Sequence, residues 1–334
     1  MIHYTLSCFM ERFVIVNIPT QQSTLQSRGV LAMFGAASIW GTWVLLISSV
    51  SLPSIYILPI SFISSAIIML TYVLTSARRQ TFLAIFQNRK FTRLLIWVAL
   101  MEVTQSSLYL ISYSIAIHDG GSVVIPIIRS LAGVLTPILA TFSTNERFSK
   151  TYLLYGTLSS FGAILIFSRG GIVVGENLSY FALIMVTVSV LLRGWFYLEQ
   201  RKLAQEMSFL GYESIHVLTA HLLVSAIILF VVAGLYRVFA PQPIVGNLFQ
   251  EVAIIASLGL IYTALASLLR LVAMKQITAQ QSIIIMYIEP FLAVVLSILF
   301  LGETITLGFV IGAVLILFSA GRASMVSNKV ASST

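Results

Sequence analysis

The chain has 334 residues, of which 58% are hydrophobic and only 9% charged, and its mean hydropathy is +1.00. Soluble domains carry about 25% charged residues, so most of this surface must face lipid, and a soluble globular protein is excluded. The net charge of +8 fits the basic cytoplasmic loops of membrane proteins, so no nucleic-acid partner is expected.

Residues 1–27 precede the apolar part of the chain and have mixed composition. Glu11 and Arg12 stand before a short apolar run at residues 14–18. A secretory signal has a basic start, one uninterrupted apolar run and a small-residue cleavage site. Residues 1–27 lack this arrangement, so we predict that they form a cytoplasmic leader.

Ten apolar segments follow, each near the length of about 20 residues that crosses a bilayer. They are residues 30–48, 55–75, 94–117, 122–142, 152–167, 178–198, 214–236, 252–274, 280–300 and 305–319. We therefore predict an all-α membrane protein with ten transmembrane helices and a cytoplasmic tail at residues 323–334. Between the second and third segments, residues 82–90 have helical spacing and a basic end, which fits either an interfacial helix or a solvated loop.

The distribution of Lys and Arg predicts the orientation of the chain. With the N-terminus inside, 14 of the 19 basic residues lie in cytoplasmic segments, and only Arg169 and Arg237 lie outside. Cytoplasmic loops of membrane proteins carry this excess of positive charge. We therefore expect a multi-pass protein of a bacterial cytoplasmic (inner) membrane, with both termini in the cytoplasm.

The two halves of the chain can be aligned with a shift of 157 residues. Glu146 then falls on Glu303, each just after the fourth segment of its half, and Gly41 and Gly194 occupy corresponding first segments. Since five is odd, the second copy enters the membrane from the opposite face, which predicts two inverted five-helix repeats at residues 28–170 and 171–322. A binding site is expected between such repeats, near the bilayer midplane. A tandem duplication without a transport role is the alternative.

Several short motifs stand at characteristic places in this pattern. They are Ala-Ser-Ile-Trp-Gly-Thr at 37–42, Asn-Glu-Arg-Phe-Ser at 145–149, Tyr-Ile-Glu-Pro at 287–290, and Leu-Gly-Glu at 301–303, followed by Gly308 and Gly312. Over residues 28–322 the chain resembles the EamA-type drug/metabolite transporter superfamily. It departs from the pattern at Gly133, where the second half has Pro290, and at Gly156, one residue late relative to Gly312. The second segment also lacks the arginine that many members carry there.

Charged side chains inside the predicted spans are costly, so each one requires an explanation. Arg193 and Arg270 lie near the cytoplasmic ends of their spans, and we interpret them as snorkelling to the interface. Arg129 lies near the middle of the fourth span, and Glu102 and Glu289 lie at similar depth in the third and ninth. Arg129 either forms a structural ion pair with one of these glutamates or clamps a substrate carboxylate or phosphate.

Three residues are candidates for proton coupling and three aromatic residues for substrate binding. Burial favours the protonated form of a carboxyl group, which makes Glu102 and Glu289 plausible proton carriers, with His221 as a weaker relay candidate. The alternative for Glu289 is a structural role, in which it and the following Pro290 shape the helix. We predict that Trp40, Tyr109 and Tyr113 line a substrate pocket, while interfacial anchoring is the alternative for such aromatic residues.

The sequence contains no P-loop, no nucleophile elbow, no zinc-protease motif and, with Cys8 as its one cysteine, no Cys/His cluster. We therefore expect neither an enzyme nor a cofactor. The family resemblance implies a secondary transporter that exports a small organic metabolite, amino-acid-like and anionic or zwitterionic, by alternating access. The alternative is a multidrug or lipid-linked-solute carrier of the same fold. The expected partners are a small-molecule substrate, the lipid bilayer and protons.

Overall fold

The computed structural model describes residues 22–42, 52, 54–76, 79–118, 124–143, 148–168, 179–239, 247–301 and 305–326. Every regular element in these ranges is a helix. They are α1 (Gln22–Gly41), α2 (Ser54–Thr75), α3 (Arg79–Gln87), α4 (Arg89–His118), α5 (Val124–Ser130), α6 (Ala132–Leu139), α7 (Lys150–Ser168), α8 (Tyr180–Phe209), α9 (Ser214–Phe239), α10 (Leu248–Gly259), α11 (Ala266–Met274), α12 (Ala279–Ile285), α13 (Ile288–Leu301) and α14 (Leu307–Met325). A 3₁₀ turn at Ala140–Phe142 follows α6, and a π-helical turn at Leu260–Leu265 joins α10 to α11.

Nine segments of the described residues are long and apolar enough to cross a membrane. They coincide with the second to tenth predicted spans, which confirms an all-α, multi-pass architecture. The first predicted span begins within α1, and its residues 43–48 lie outside the described residues. The fifth and tenth spans, predicted at residues 152–167 and 305–319, are longer in the structure, since α7 and α14 have 19 residues each. Helix α8 continues 11 residues beyond its predicted end to Phe209 because Leu203, Ala204 and Met207 are buried on one of its faces.

The fourth and ninth predicted spans are each divided into two helices near their middle. The first break lies between α5 and α6 at Leu131, and the second between α12 and α13 at residues 286–287. Pro290 has no N–H to offer the Met286 carbonyl, which accepts instead from the backbone nitrogen of Glu289 at 3.0 Å. In the first half, the Ser130 carbonyl accepts from the Ser160 hydroxyl at 2.7 Å and from the Tyr287 hydroxyl. Side chains thus satisfy a carbonyl that the break leaves without its helical partner.

The π-helical turn at Leu260–Leu265 is also satisfied by neighbouring helices. The indole nitrogen of Trp40 donates to the Tyr262 carbonyl at 2.8 Å, and the Ser65 hydroxyl donates to the Gly259 carbonyl at 2.8 Å. Hydroxyl groups of Ser61 and Thr263 are 2.5 Å apart across the same contact. The turn is therefore fixed by α1 and α2, which places Trp40 deep in the bundle.

The helices of the two halves exchange equivalent contacts. Helix α1 packs on α11 and α13, and α8, its counterpart in the second half, packs on α4 and α6. Gly41 allows the first contact, because a Cβ there would lie 2.7 Å from the Cβ of Leu292. Gly194 allows the second, since its Cβ would lie 2.9 Å from Leu139. The two first spans are thus each packed against the divided span of the other half.

Helices α7 and α14 cross closely at a pair of glycines. A Cβ on Gly162 would lie 2.7 Å from the Gly312 carbonyl oxygen, and a Cβ on Gly312 would clash with the Gly162 carbonyl. Gly156 lies instead against the backbone of Gly133. The glycines of the fifth and tenth spans therefore have different contacts, which accounts for the offset between Gly156 and Gly312.

The basic segment between the second and third spans is helical. Helix α3 buries Phe82 and Ile85 in the main hydrophobic core and is in contact with α2, α4 and α9. The apolar face predicted from the helical spacing is therefore covered by protein, and a plain solvated loop is ruled out for this segment.

Candidate functional site

Two groups of charged side chains lie between the helices. The Glu102 cluster consists of Glu102 on α4, His221 on α9 and Arg270 on α11. One carboxylate oxygen of Glu102 is 2.5 Å from Nε2 of His221, and the other is 2.5 Å from a terminal nitrogen of Arg270. All three residues are buried, with no more than 6% of each exposed. Three helices from both halves of the chain thus converge on one carboxylate.

The position of Arg270 corrects the snorkelling interpretation. Its guanidinium lies 4.9 Å from the ring centroid of Trp40 and 5.0 Å from that of Phe196, as well as against Glu102. A guanidinium held by a carboxylate and two aromatic faces has no reason to extend toward the interface. The sequence did not show that Glu102 faces Arg270, because the two residues are far apart along the chain.

His221 offers one ring nitrogen to Glu102. A carboxylate paired with Arg270 is an acceptor, so the Nε2–H group of His221 is the donor in this hydrogen bond. In the described part of the chain, the other ring nitrogen, Nδ1, is buried and has no hydrogen-bond partner. A buried ring nitrogen without a described partner therefore lies next to an ion pair in the interior of the bundle.

The Arg129 cluster is the second group and consists of Arg129, Arg193, Glu289, Tyr109 and Tyr197. The guanidinium of Arg129 on α5 lies 3.7 Å from the centroid of the Tyr109 ring on α4. Among the described residues no carboxylate lies within 4.0 Å of Arg129, and its buried Nη1 has no hydrogen-bond partner. The ion pair of Arg129 with Glu102 or Glu289, one of the two alternatives predicted from the sequence, is therefore not formed. Arg129 keeps a buried donor free on a rigid aromatic support.

Arg193, which was also expected to snorkel, forms the ion pair of this cluster. It approaches Glu289 at 3.8 Å and lies 5.8 Å from the ring centroid of Tyr197. Its side chain is 14% exposed, and that of Glu289 is 34% exposed. The snorkelling interpretation is therefore wrong for Arg193 as well, because a carboxylate on the neighbouring α13 provides its counter-charge. Glu289 is more exposed than Glu102, the other glutamate within a predicted span.

The predicted substrate-binding residues fall into two groups. Tyr109 and Tyr113 are stacked with ring centroids 6.1 Å apart, and Tyr109 carries Arg129 on its face. Trp40 lies instead beside Arg270 in the Glu102 cluster. Glu102 and His221, both predicted as proton-coupling residues, are in contact, whereas Glu289 lies in the other cluster.

Helix α8 connects the two clusters through consecutive aromatic residues. Phe196 contacts Arg270, and Tyr197 contacts Arg193. Their rings are 5.7 Å apart and nearly perpendicular. Sequence reasoning did not select Phe196 or Tyr197, since aromatic residues are frequent in spans. Their spacing of three and four residues from Arg193 was the available signal, because such neighbours lie on one face of a helix.

Tyr287 is a further residue that sequence reasoning left without a role, although it belongs to the Tyr-Ile-Glu-Pro motif. Its hydroxyl accepts from the backbone N–H of Gly133 at 2.8 Å and is 2.9 Å from the Ser160 hydroxyl. It thus crosses from the divided span of the second half to that of the first. Glu146 and Glu303, the matched pair of the sequence alignment, lie outside the described residues. Within the described ranges, no group of three His, Cys, Asp or Glu side chains could hold a metal ion.

Comparisons with known proteins agree with this architecture. No curated protein sequence matches the chain. A solved crystal structure of a protein superposes with a TM-score of 0.69 at 14% identity, covering 88% of this chain and 96% of that one, and so shows a shared fold. The sequence profile of the EamA-like transporter family matches residues 27–168 and 178–323, which together make up most of the chain. The protein therefore belongs to the EamA-like transporter family and is a multi-pass membrane transporter.

Proposed function

We propose that the protein is a secondary transporter that exports a small organic metabolite, amino-acid-like and anionic or zwitterionic, by alternating access. The observation that carries this proposal is the free donor of Arg129. A guanidinium stacked 3.7 Å over Tyr109 with a buried, unpartnered Nη1 is prepared to receive a carboxylate in bidentate geometry. Tyr113 stacks on Tyr109 and extends the aromatic surface, and Trp40 lies beside Arg270 in the Glu102 cluster.

Alternating access follows in this proposal from two inverted five-helix repeats at residues 28–170 and 171–322. The reciprocal packing of α1 and α8 supports a two-fold relation between the halves. Their divided spans support it as well, since helix breaks at midplane depth are where such transporters bind substrates. Rocking of one repeat against the other would expose the site to each side in turn. We place both termini in the cytoplasm of a bacterial cell, on the charge distribution of the loops.

Proton coupling is assigned to Glu102, Glu289 and His221. Nδ1 of His221 is buried without a hydrogen-bond partner in the described part of the chain, and Nε2 of the same ring contacts Glu102. In this proposal, a positive charge on the His221 ring weakens the hold of Glu102 on Arg270. Glu289 is the accessible carboxylate beside Arg193. A proton on either glutamate would release an arginine, which links protonation to the affinity for an anion.

The test is an untargeted comparison of metabolites in the medium of cells that express the wild-type protein, Arg129→Gln or Arg237→Gln. Arg237 is exposed at the end of α9, so its replacement changes the net charge equally without touching the site. We expect an anionic or amino-acid-like metabolite to accumulate with the wild type and Arg237→Gln, but not with Arg129→Gln at equal folded yield. Accumulation of apolar drugs or lipid-linked solutes alone would favour the alternative carrier function. Unchanged export by well-folded Arg129→Gln would end the clamp hypothesis.

A further inference from the structure

The charges inside the described spans do not cancel. Within the ten apolar segments predicted from the sequence, the Arg and Lys residues are Arg129, Arg193 and Arg270, and the carboxylates are Glu102 and Glu289. Residues 43–51, which belong to the predicted first span and its loop, contain no ionisable side chain. The sequence thus adds no further counter-charge in that part of the membrane.

The pairing of these groups leaves one specific cation uncompensated. Glu102 is 2.5 Å from Arg270, and Glu289 is 3.8 Å from Arg193. His221 belongs to the Glu102 cluster, where its Nε2 contacts Glu102. The Arg129 cluster by itself holds two guanidinium groups and one carboxylate, that of Glu289. Arg129 therefore carries the excess positive charge, and its cation–π contact with Tyr109 only partly compensates for desolvation.

An excess charge in the bundle discriminates between ligands by their net charge. A zwitterion could place its carboxylate on Arg129, but its ammonium group would have to compete with Arg193 for Glu289. A cation would add a second uncompensated charge, and a dianion would reverse the imbalance. Only a ligand with one net negative charge leaves the loaded site neutral, which lowers the cost of charge in the membrane interior.

We propose that the substrates are organic monoanions, with the anionic group on Arg129 and the body of the molecule beside Tyr109 and Tyr113. This inference rests on the proposed transport function and selects one class from the anionic and zwitterionic metabolites considered there. Glu289 acts in it as the resident partner of Arg193 and so excludes ammonium groups. Specificity then comes from a charge that the protein leaves unpaired.

The test uses two matched series of probes with the purified full-length protein in detergent at constant ionic strength. The aromatic series is 3-phenylpropionate, phenylalanine, 2-phenylethylamine and benzylmalonate. The aliphatic series is hexanoate, norleucine, hexylamine and butylmalonate. Each series keeps a similar apolar body and changes the charged groups at one end, so a poor fit of one body does not decide the outcome. Binding is measured by titrating the shift in melting temperature.

We expect the monoanion of at least one series to bind at least about tenfold more tightly than its zwitterionic, cationic and dianionic counterparts. The free energy that corresponds to a tenfold change in affinity is smaller than the cost of one uncompensated charge inside a span. Arg129→Gln should abolish this preference, and Arg237→Gln should preserve it. Equal or tighter binding of the zwitterion or the dianion, or no charge preference in either series, would overturn the inference. The wild-type titrations decide this even if Arg129→Gln does not fold.

Flux into proteoliposomes separates this inference from the proposed function. If the monoanion binds selectively but is not transported, the transport assignment to this site fails while the charge class stands. If amino acids or amines are transported and bound in preference to monoanions, the transport function stands and the charge class is wrong. Arg129→Lys keeps the charge and loses the bidentate fork, so it should retain the preference for monoanions with weaker binding.

Discussion

The Tyr287 hydroxyl accepts a hydrogen bond from the backbone N–H of Gly133 at a distance of 2.8 Å. This contact joins the divided spans of the two halves at the place where α6 begins. It also explains why the first half has glycine where the second half has Pro290. A side chain at residue 133 would occupy the space that Tyr287 fills, and a proline there would have no N–H to donate.

Gly133→Ala should destabilise the protein by about 1–3 kcal/mol, the usual cost of overpacking a tight contact. A Cβ at this position would lie 2.5 Å from the Tyr287 oxygen and 2.6 Å from its ring. Gly321→Ala is the matched control, since it is also a helical glycine and has open space around its Cβ position. Melting in detergent should show a clear loss for Gly133→Ala and none for Gly321→Ala. Equal melting temperatures for the two variants would contradict the close packing of Tyr287 on Gly133.

Breaking the Glu102–Arg270 pair should cost about 3–5 kcal/mol, because each single replacement leaves a buried charge without its partner. We expect Glu102→Gln and Arg270→Gln each to lower stability strongly, and the double variant to lose less than the two together. Glu206→Gln is the control, since Glu206 faces the highly exposed Lys90 at 4.0 Å and such pairs contribute about 0–1 kcal/mol. Additive losses in the double-mutant cycle would show that the two side chains are not coupled.

Replacing a proton-carrying glutamate by glutamine should abolish transport driven by a pH gradient and leave exchange at equal pH. The prediction applies to Glu102→Gln and Glu289→Gln, assayed separately in vesicles at equal amounts of folded protein with the metabolite identified from the medium. Glutamine keeps the size of the side chain but cannot carry the proton between the two sides. Full gradient-driven activity in both single variants would remove these residues from the coupling mechanism.

The inverted-repeat scheme predicts the sidedness of two loops. A reporter fused after Arg93 should read as cytoplasmic, and one inserted at Gly171 should read as external, because three predicted spans, an odd number, lie between the two positions. The reporters are an alkaline phosphatase, active outside, and a fluorescent protein that folds inside. The inverted-repeat scheme would be contradicted if the two reporters gave the opposite readings, or if both were found on the same side of the membrane.

Composition and hydropathy were sufficient to predict the all-α membrane fold and the approximate position of nine described spans. This is a consequence of the bilayer, in which a spanning segment must satisfy its backbone within a helix and cover it with apolar side chains. The family was predicted from short motifs such as Tyr-Ile-Glu-Pro at 287–290, because such motifs can be recognised in the sequence without knowledge of the tertiary structure. Because charge in lipid is costly, the sequence also identified Arg129, Glu102 and Glu289 as residues that must have a structural or functional role.

The partners of those charges were decided only by tertiary structure. Glu102 and Arg270 are separated by 168 positions along the chain, and their contact depends on how α4 and α11 pack. In lipid, packing is set by small residues such as Gly41 and Gly194 and by polar contacts, which hydropathy does not encode. The helix breaks at Leu131 and Tyr287 were missed for the same reason, because side chains from other helices satisfy the freed backbone. The sequence thus determined that charges lie inside the predicted spans. The packing of the helices determined that, of Arg129, Arg193 and Arg270, only Arg129 has no carboxylate of a described residue within 4.0 Å.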